Sequence, residues 1–102
     1  MPLSVIRQNL QGKRYNEIHP LNAELNRLLP QFDDMSYPLL RLIDPYGNTL
    51  FSSNQMHGFL PEWDRLIVGI HDVEDRKLLS QVRDMAETCK KNPHTFIRFR
   101  GD

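Results

Sequence analysis

The chain has 102 residues, of which 39% are hydrophobic and 25% charged, and its formal net charge is zero. Residues 1–102 therefore read as one domain with one modest core, and the composition excludes a disordered chain. A neutral total also argues against non-specific nucleic-acid binding, which needs a basic footprint.

Residues 1–18 read two ways. Leu3, Val5 and Arg7 alternate with Ser4, Ile6 and Gln8 as on a strand, but Leu3, Ile6 and Leu10 also fit a helical stripe. The run is too short for periodicity to decide. Gly12 marks a break. His19-Pro20 then opens a predicted helix with Leu21, Leu25, Leu28 and Leu29 on one face and Asn22, Glu24, Asn26 and Arg27 on the other; Pro30 stops it. Gln31 to Ser36 is a solvated connector.

Tyr37 to Gln55 is the stretch around which the remainder is arranged. Two strands, near 37–43 and 48–52, flank a turn at Asp44-Pro45-Tyr46-Gly47. Aspartate suits the first turn position, because its carboxylate accepts from backbone N–H groups just ahead. Proline pre-sets the second, and glycine relaxes the exit.

Met56, Phe59, Leu60, Trp63, Leu66, Ile67 and Ile70 recur at helical spacing. Pro61 interrupts them, so a loose turn over 54–58 followed by a helix from about Leu60 is predicted. Asp72 is placed to cap the next helix, with Asp75 three residues on. Leu78, Leu79, Val82, Met85, Ala86 and Cys89 form its buried stripe, and Asn92-Pro93 ends it. In the last strand, Thr95, Ile97 and Phe99 share one face, and Phe96, Arg98 and Arg100 the other. The whole predicts an α+β domain, a small antiparallel sheet with about three helices packed mainly on one face.

Residues 42–51, Leu-Ile-Asp-Pro-Tyr-Gly-Asn-Thr-Leu-Phe, then Gln55, Leu60-Pro61-Glu62 and the ending His94 to Asp102 resemble a group of small bacterial proteins of unassigned activity. Members often carry Asp-Pro-Tyr-Gly-Asp-Thr followed by Phe-Asn, and a terminal Phe-x-Gly-Asp. This chain has Asn48 and Ser52 where Asp and Asn are frequent. The resemblance covers roughly the C-terminal two thirds. It implies a stand-alone bacterial domain and carries no catalytic residue.

No motif marks a catalytic centre. His19, His57, His71 and His94 form no His-x-x-x-His pair, so neither metal nor other cofactor is expected. Cys89 is the single cysteine, which excludes an internal disulfide and a cysteine-based zinc cage; its place on a helix stripe predicts an inert thiol. No apolar run approaches the roughly 20 residues of a membrane span, and no charged segment followed by an apolar one opens the chain; a cytoplasmic protein is expected.

Two clusters remain. Asp44, Tyr46, Asn48, Thr49, Asn54 and Gln55 crowd the hairpin. Turn and cap hydrogen bonding explains them; the functional alternative is a ligand pocket formed by Asp44, Tyr46, Asn48 and Gln55 and closed by Trp63. The second cluster is a sheet face bearing Phe96, Arg98, Arg100 and, if residues 37–43 alternate as a strand, Arg41. Arginine beside aromatics is enriched at protein interfaces. Charge is also segregated: +2 over residues 1–30, −6 over 31–75 and +4 over 76–102. The expected function is that of a non-catalytic bacterial accessory protein acting by protein–protein binding, of inhibitor or immunity type, with another protein or a second copy as partner. The alternative is a small-ligand-binding protein or minor enzyme using the Asp44–Gln55 pocket.

Overall fold

The computed structural model describes residues 3–21 and 24–101. The chain opens with a hairpin of β1 (Ser4–Asn9) and β2 (Arg14–Ile18). The strand reading of the first residues is therefore the right one. Asn9 organises the loop, since its Oδ1 accepts from the N–H groups of Gln11 and Lys13, both at 2.9 Å. Gly12 supplies the left-handed backbone (φ 87°) that the reversal needs.

The helix expected to follow His19-Pro20 does not form as such. Among the described residues of that stretch only Asn26–Leu28 is helical, as one 3-10 turn. Leu25 and Leu28 are buried, but Leu21 is 77% exposed, so the leucine stripe is not one continuous face; Asn22 lies outside the described residues. Prolines at 20 and 30 leave a stretch shorter than the roughly 12 residues at which an isolated helix becomes even marginal. Tertiary bonds decide instead: the Asn26 Oδ1 accepts from the Leu3 N–H at 3.0 Å.

The first arm of the expected central hairpin also differs. Leu40–Leu42 is a second 3-10 turn, not a strand. The turn that follows has the expected chemistry, with the Gly47 N–H donating to the Asp44 carbonyl and the Tyr46 N–H to Asp44 Oδ1. Only the second arm, β3 (Asn48–Ser52), is a strand.

Helix α1 (Met56–Val68) starts four residues earlier than expected and runs through Pro61. A reciprocal pair launches it: Ser52 Oγ accepts from the Gln55 N–H, and Gln55 Oε1 from the Ser52 N–H. The reciprocal Ser-x-x-Gln pairing closes the turn that leads into the helix, ahead of its N-cap residue Gln55. Pro61 has no N–H to offer the His57 carbonyl, but both residues are exposed, which leaves that carbonyl on the solvent side of the helix. Helix α2 (Val73–Lys91) is capped by Asp72, whose Oδ2 accepts from the Asp75 N–H at 3.0 Å; its buried stripe is Leu79, Val82, Met85, Ala86 and Cys89. Strand β4 (Thr95–Arg100) alternates as expected, with Thr95, Ile97 and Phe99 buried.

The sheet is antiparallel in order β2-β1-β4-β3. Both α-helices lie over the face that carries Val5, Phe51, Ile97 and Phe99. The class is α+β as predicted; among the described residues two α-helices and two short 3-10 turns stand where about three helices were expected. Trp63 sits at the centre of the core, stacked on Phe59 (centroids 5.3 Å apart, planes 10°) and donating from Nε1 to the Leu79 carbonyl at 2.8 Å.

One ion pair tethers the irregular segment to α2. Arg27 donates to both carboxylate oxygens of Asp75, at 2.9 and 2.6 Å. This hydrogen bonding, with the guanidinium charge, holds the Asp75 carboxyl below the usual aspartate range against the opposing effect of burial. A lowered folded pKa contributes stability above the unfolded value, about 3.9, and loses it as pH falls through the folded value. Arg27→Gln should therefore reduce the thermal midpoint near neutral pH, and its difference from wild type should shrink as pH falls below about 4. A difference independent of pH would show that the pair contributes no ionic stabilisation.

Candidate functional site

The face of the sheet opposite the helices has no helix over it among the described residues. Strand alternation places Ser4, Ile6 and Gln8 of β1 there, with Phe96, Arg98 and Arg100 of β4 and Asn48, Leu50 and Ser52 of β3. The register sets them in transverse rows. Asn48, Arg100 and Ser4 form one, Leu50, Arg98, Ile6 and Glu17 the next, and Ser52, Phe96 and Gln8 the third.

Ile6 is fully buried yet lies outside the main core cluster. Its cross-strand neighbours are Arg98 and Glu17, long side chains whose aliphatic stems can cover it while their charges stay wet. Leu50, the other neighbour of Arg98, is 49% exposed. Phe96, Arg98 and Arg100 are each half-buried.

The charges on this face are unequal. Glu17 is already engaged, with Arg14 at 3.1 Å and with His19 Nε2 at 2.9 Å. The hydrogen bond from His19, followed by Arg14, holds its carboxyl below the ordinary glutamate value. By contrast, neither Arg98 nor Arg100 forms an ion pair among the described residues. Arg98 Nε donates to the neutral Asn48 Oδ1 at 2.9 Å. Pairing with the acidic middle of the chain does not account for these two arginines.

Arg41 is not part of this face. It sits in the second 3-10 turn, with its guanidinium 5.2 Å from the Phe32 ring centroid and Nη1 donating to the Phe32 carbonyl at 3.0 Å. The strand alternation that placed it beside Arg98 does not exist at residues 37–43.

The predicted polar pocket does not assemble either. Trp63 is fully buried, so it closes no ligand site. Gln55 is turned back onto the Ser52 N–H, Tyr46 is 77% exposed, and Asn48 belongs to the sheet face. Asp44 alone of the five lines the cleft whose other walls come from Leu3 and from residues 26–32 and 41–45. Neither the Arg41 position nor that cleft has a periodic signal; only the Ser52-x-x-Gln55 spacing was available to reveal the use of Gln55.

Among the described residues no group of three or more His, Cys, Asp or Glu side chains could hold a metal ion. Cys89 is buried, and burial pushes its thiol up, against a smaller opposing effect of the Thr95 hydroxyl. Folded protein should resist thiol reagents until denaturant is added; rapid stoichiometric labelling without denaturant would show that α2 opens locally. No helix among the described residues is long and apolar enough to cross a membrane. No family model matches the chain, and no curated protein or solved structure shows a significant match to it.

Proposed function

We propose that the chain is a binding protein whose open sheet face docks an acidic partner protein, in the manner of a bacterial inhibitor or immunity factor, and that it performs no catalysis. One observation carries this reading: among the described residues Arg98 and Arg100 have no acidic partner, on a face that also exposes Leu50 and part of Phe96. Arginine and aromatic side chains concentrate the energy of protein interfaces, and unpaired arginines favour carboxylates opposite them. Dispersed exposed apolar residues are ordinary on their own; here they sit in register beside uncompensated charge.

The test is a double variant, Arg98→Glu with Phe96→Ser. It should keep its thermal midpoint within a few degrees of wild type, because both side chains are half-buried on the outer face. Tagged wild type and variant are compared by affinity capture from the native host and by sedimentation of the purified proteins. An acidic protein held by wild type at moderate salt, released at high salt and lost by the variant supports the reading. Wild type that sediments as a dimer and a variant that sediments as a monomer would make the occupant a second copy. Identical capture profiles with monomeric wild type would overturn docking at this face.

A further inference from the structure

We propose that the cleft between residues 26–32 and 41–45 binds a small carboxylate that carries an apolar group. This site is separate from the sheet face and does not depend on it. Its volume is about 540 Å³, within the range of small-molecule sites. Leu29, Pro30, Leu42, Ile43 and Pro45 give it apolar walls.

Arg41 supplies the polar end. Its guanidinium lies over the Phe32 ring and spends one N–H on the Phe32 carbonyl, which fixes the plane of the fork. Nε is shut off from solvent with no hydrogen-bond partner. Among the described residues Arg41 has no ion pair. A cation held rigid beside apolar walls, without a counter-ion and with terminal N–H groups to spare, matches a carboxylate, whose two oxygens fit the guanidinium fork.

Asp44 narrows the class. It lines the same cleft, and its Oδ1 is fixed by the Tyr46 N–H at 2.9 Å. Its charge opposes part of the pull of Arg41 on any anion, so the apolar walls must contribute to binding. An acid with an aliphatic or aromatic group is therefore favoured over inorganic phosphate, which places nothing against those walls.

Titration of isotope-labelled protein followed by amide NMR tests this, with phenylacetate, the neutral phenylacetamide and inorganic phosphate as probes. Phenylacetate should shift the amide signals of residues 29–32 and 41–44 saturably, with a dissociation constant on the order of 1 mM for so small a ligand. Phenylacetamide should bind at least about tenfold more weakly, the value of one charge-assisted contact, and phosphate should leave these signals in place. Arg41→Gln should weaken phenylacetate by the same factor while Arg98→Glu leaves it unchanged. Equal binding of acid and amide, phosphate binding more tightly than phenylacetate, or no saturable shift with phenylacetate would each overturn the assignment. The acid and amide arms use wild type alone, so they stand even if Arg41→Gln loosens the 30–32 segment.

Discussion

Replacing Trp63 with alanine should lower the unfolding free energy by about 3–5 kcal/mol, a large share of the roughly 5–15 kcal/mol that holds such a domain together. The indole is fully buried and does two jobs at once. Its ring stacks on Phe59 and lies within 6.2 Å of the Phe99 centroid, which joins α1 to the sheet. Its Nε1 bonds the Leu79 carbonyl, which joins α1 to α2. Alanine removes the packing and the hydrogen bond together, and leaves a cavity that two helices and a sheet cannot easily close. Trp63→Phe should recover much of the packing but not the bond, and fall between the two. Equilibrium urea unfolding measures all three. An alanine variant with a wild-type midpoint would show that the tryptophan is not an anchor.

Glu62 should be the second most sensitive position. It is only 5% exposed, on the helix face turned towards the second 3-10 turn. Its Oε1 accepts from the N–H groups of Leu39 and Leu40, at 3.0 and 3.1 Å, and Oε2 also approaches the Leu39 N–H at 3.2 Å. The carboxylate therefore does for the chain at 39–40 what a neighbouring strand would do. Glu62→Leu leaves two backbone donors without acceptors and should cost roughly 2–5 kcal/mol. Glu62→Gln keeps one acceptor oxygen and should cost clearly less. Amide exchange gives the local readout: the Leu39 and Leu40 protons should lose protection in the leucine variant before the core does. Unchanged protection at both would show that Glu62 does not hold them.

Those bonds also explain what could and could not be read from the residues in order. Helix α2 and strand β4 were legible because their signals are local: a cap at Asp72, a five-residue buried stripe, and clean alternation from Thr95 to Arg100. The Asp-Pro-Tyr-Gly turn was legible for the same reason. Alternation suggests a strand over residues 37–43, but the partner that shapes them, Glu62, lies more than twenty residues away in sequence. Arg65 reinforces it from the same helix, with its guanidinium over the Tyr37 ring and a bond to the Ser36 carbonyl. The helix expected after His19-Pro20 fails because leucines at helical spacing describe which side chains are buried, not the backbone that buries them. Alternation along β4 sets Arg98 and Arg100 on the outer face. Arg41 does not join them, because its face was inferred from a strand that is absent.

The sheet order has a consequence for how the protein is made. Strands β1 and β4 are the two central strands, paired from Ser4↔Arg100 to Asn9↔Thr95. Strand β3 has β4 as its partner in the sheet. A nascent chain that has emerged as far as α2 therefore holds an N-terminal two-stranded hairpin, marginal in water by itself, and a β3 without its neighbour. Synthesis of β4 supplies both missing pairings at once, and to meet β1 it must close the long loop between Asn9 and Thr95. Until that moment Val5 and Phe51 lack the Phe99 and Ile97 backbone that seats them. A chain synthesised only as far as α2 is therefore one whose core face lacks a central strand.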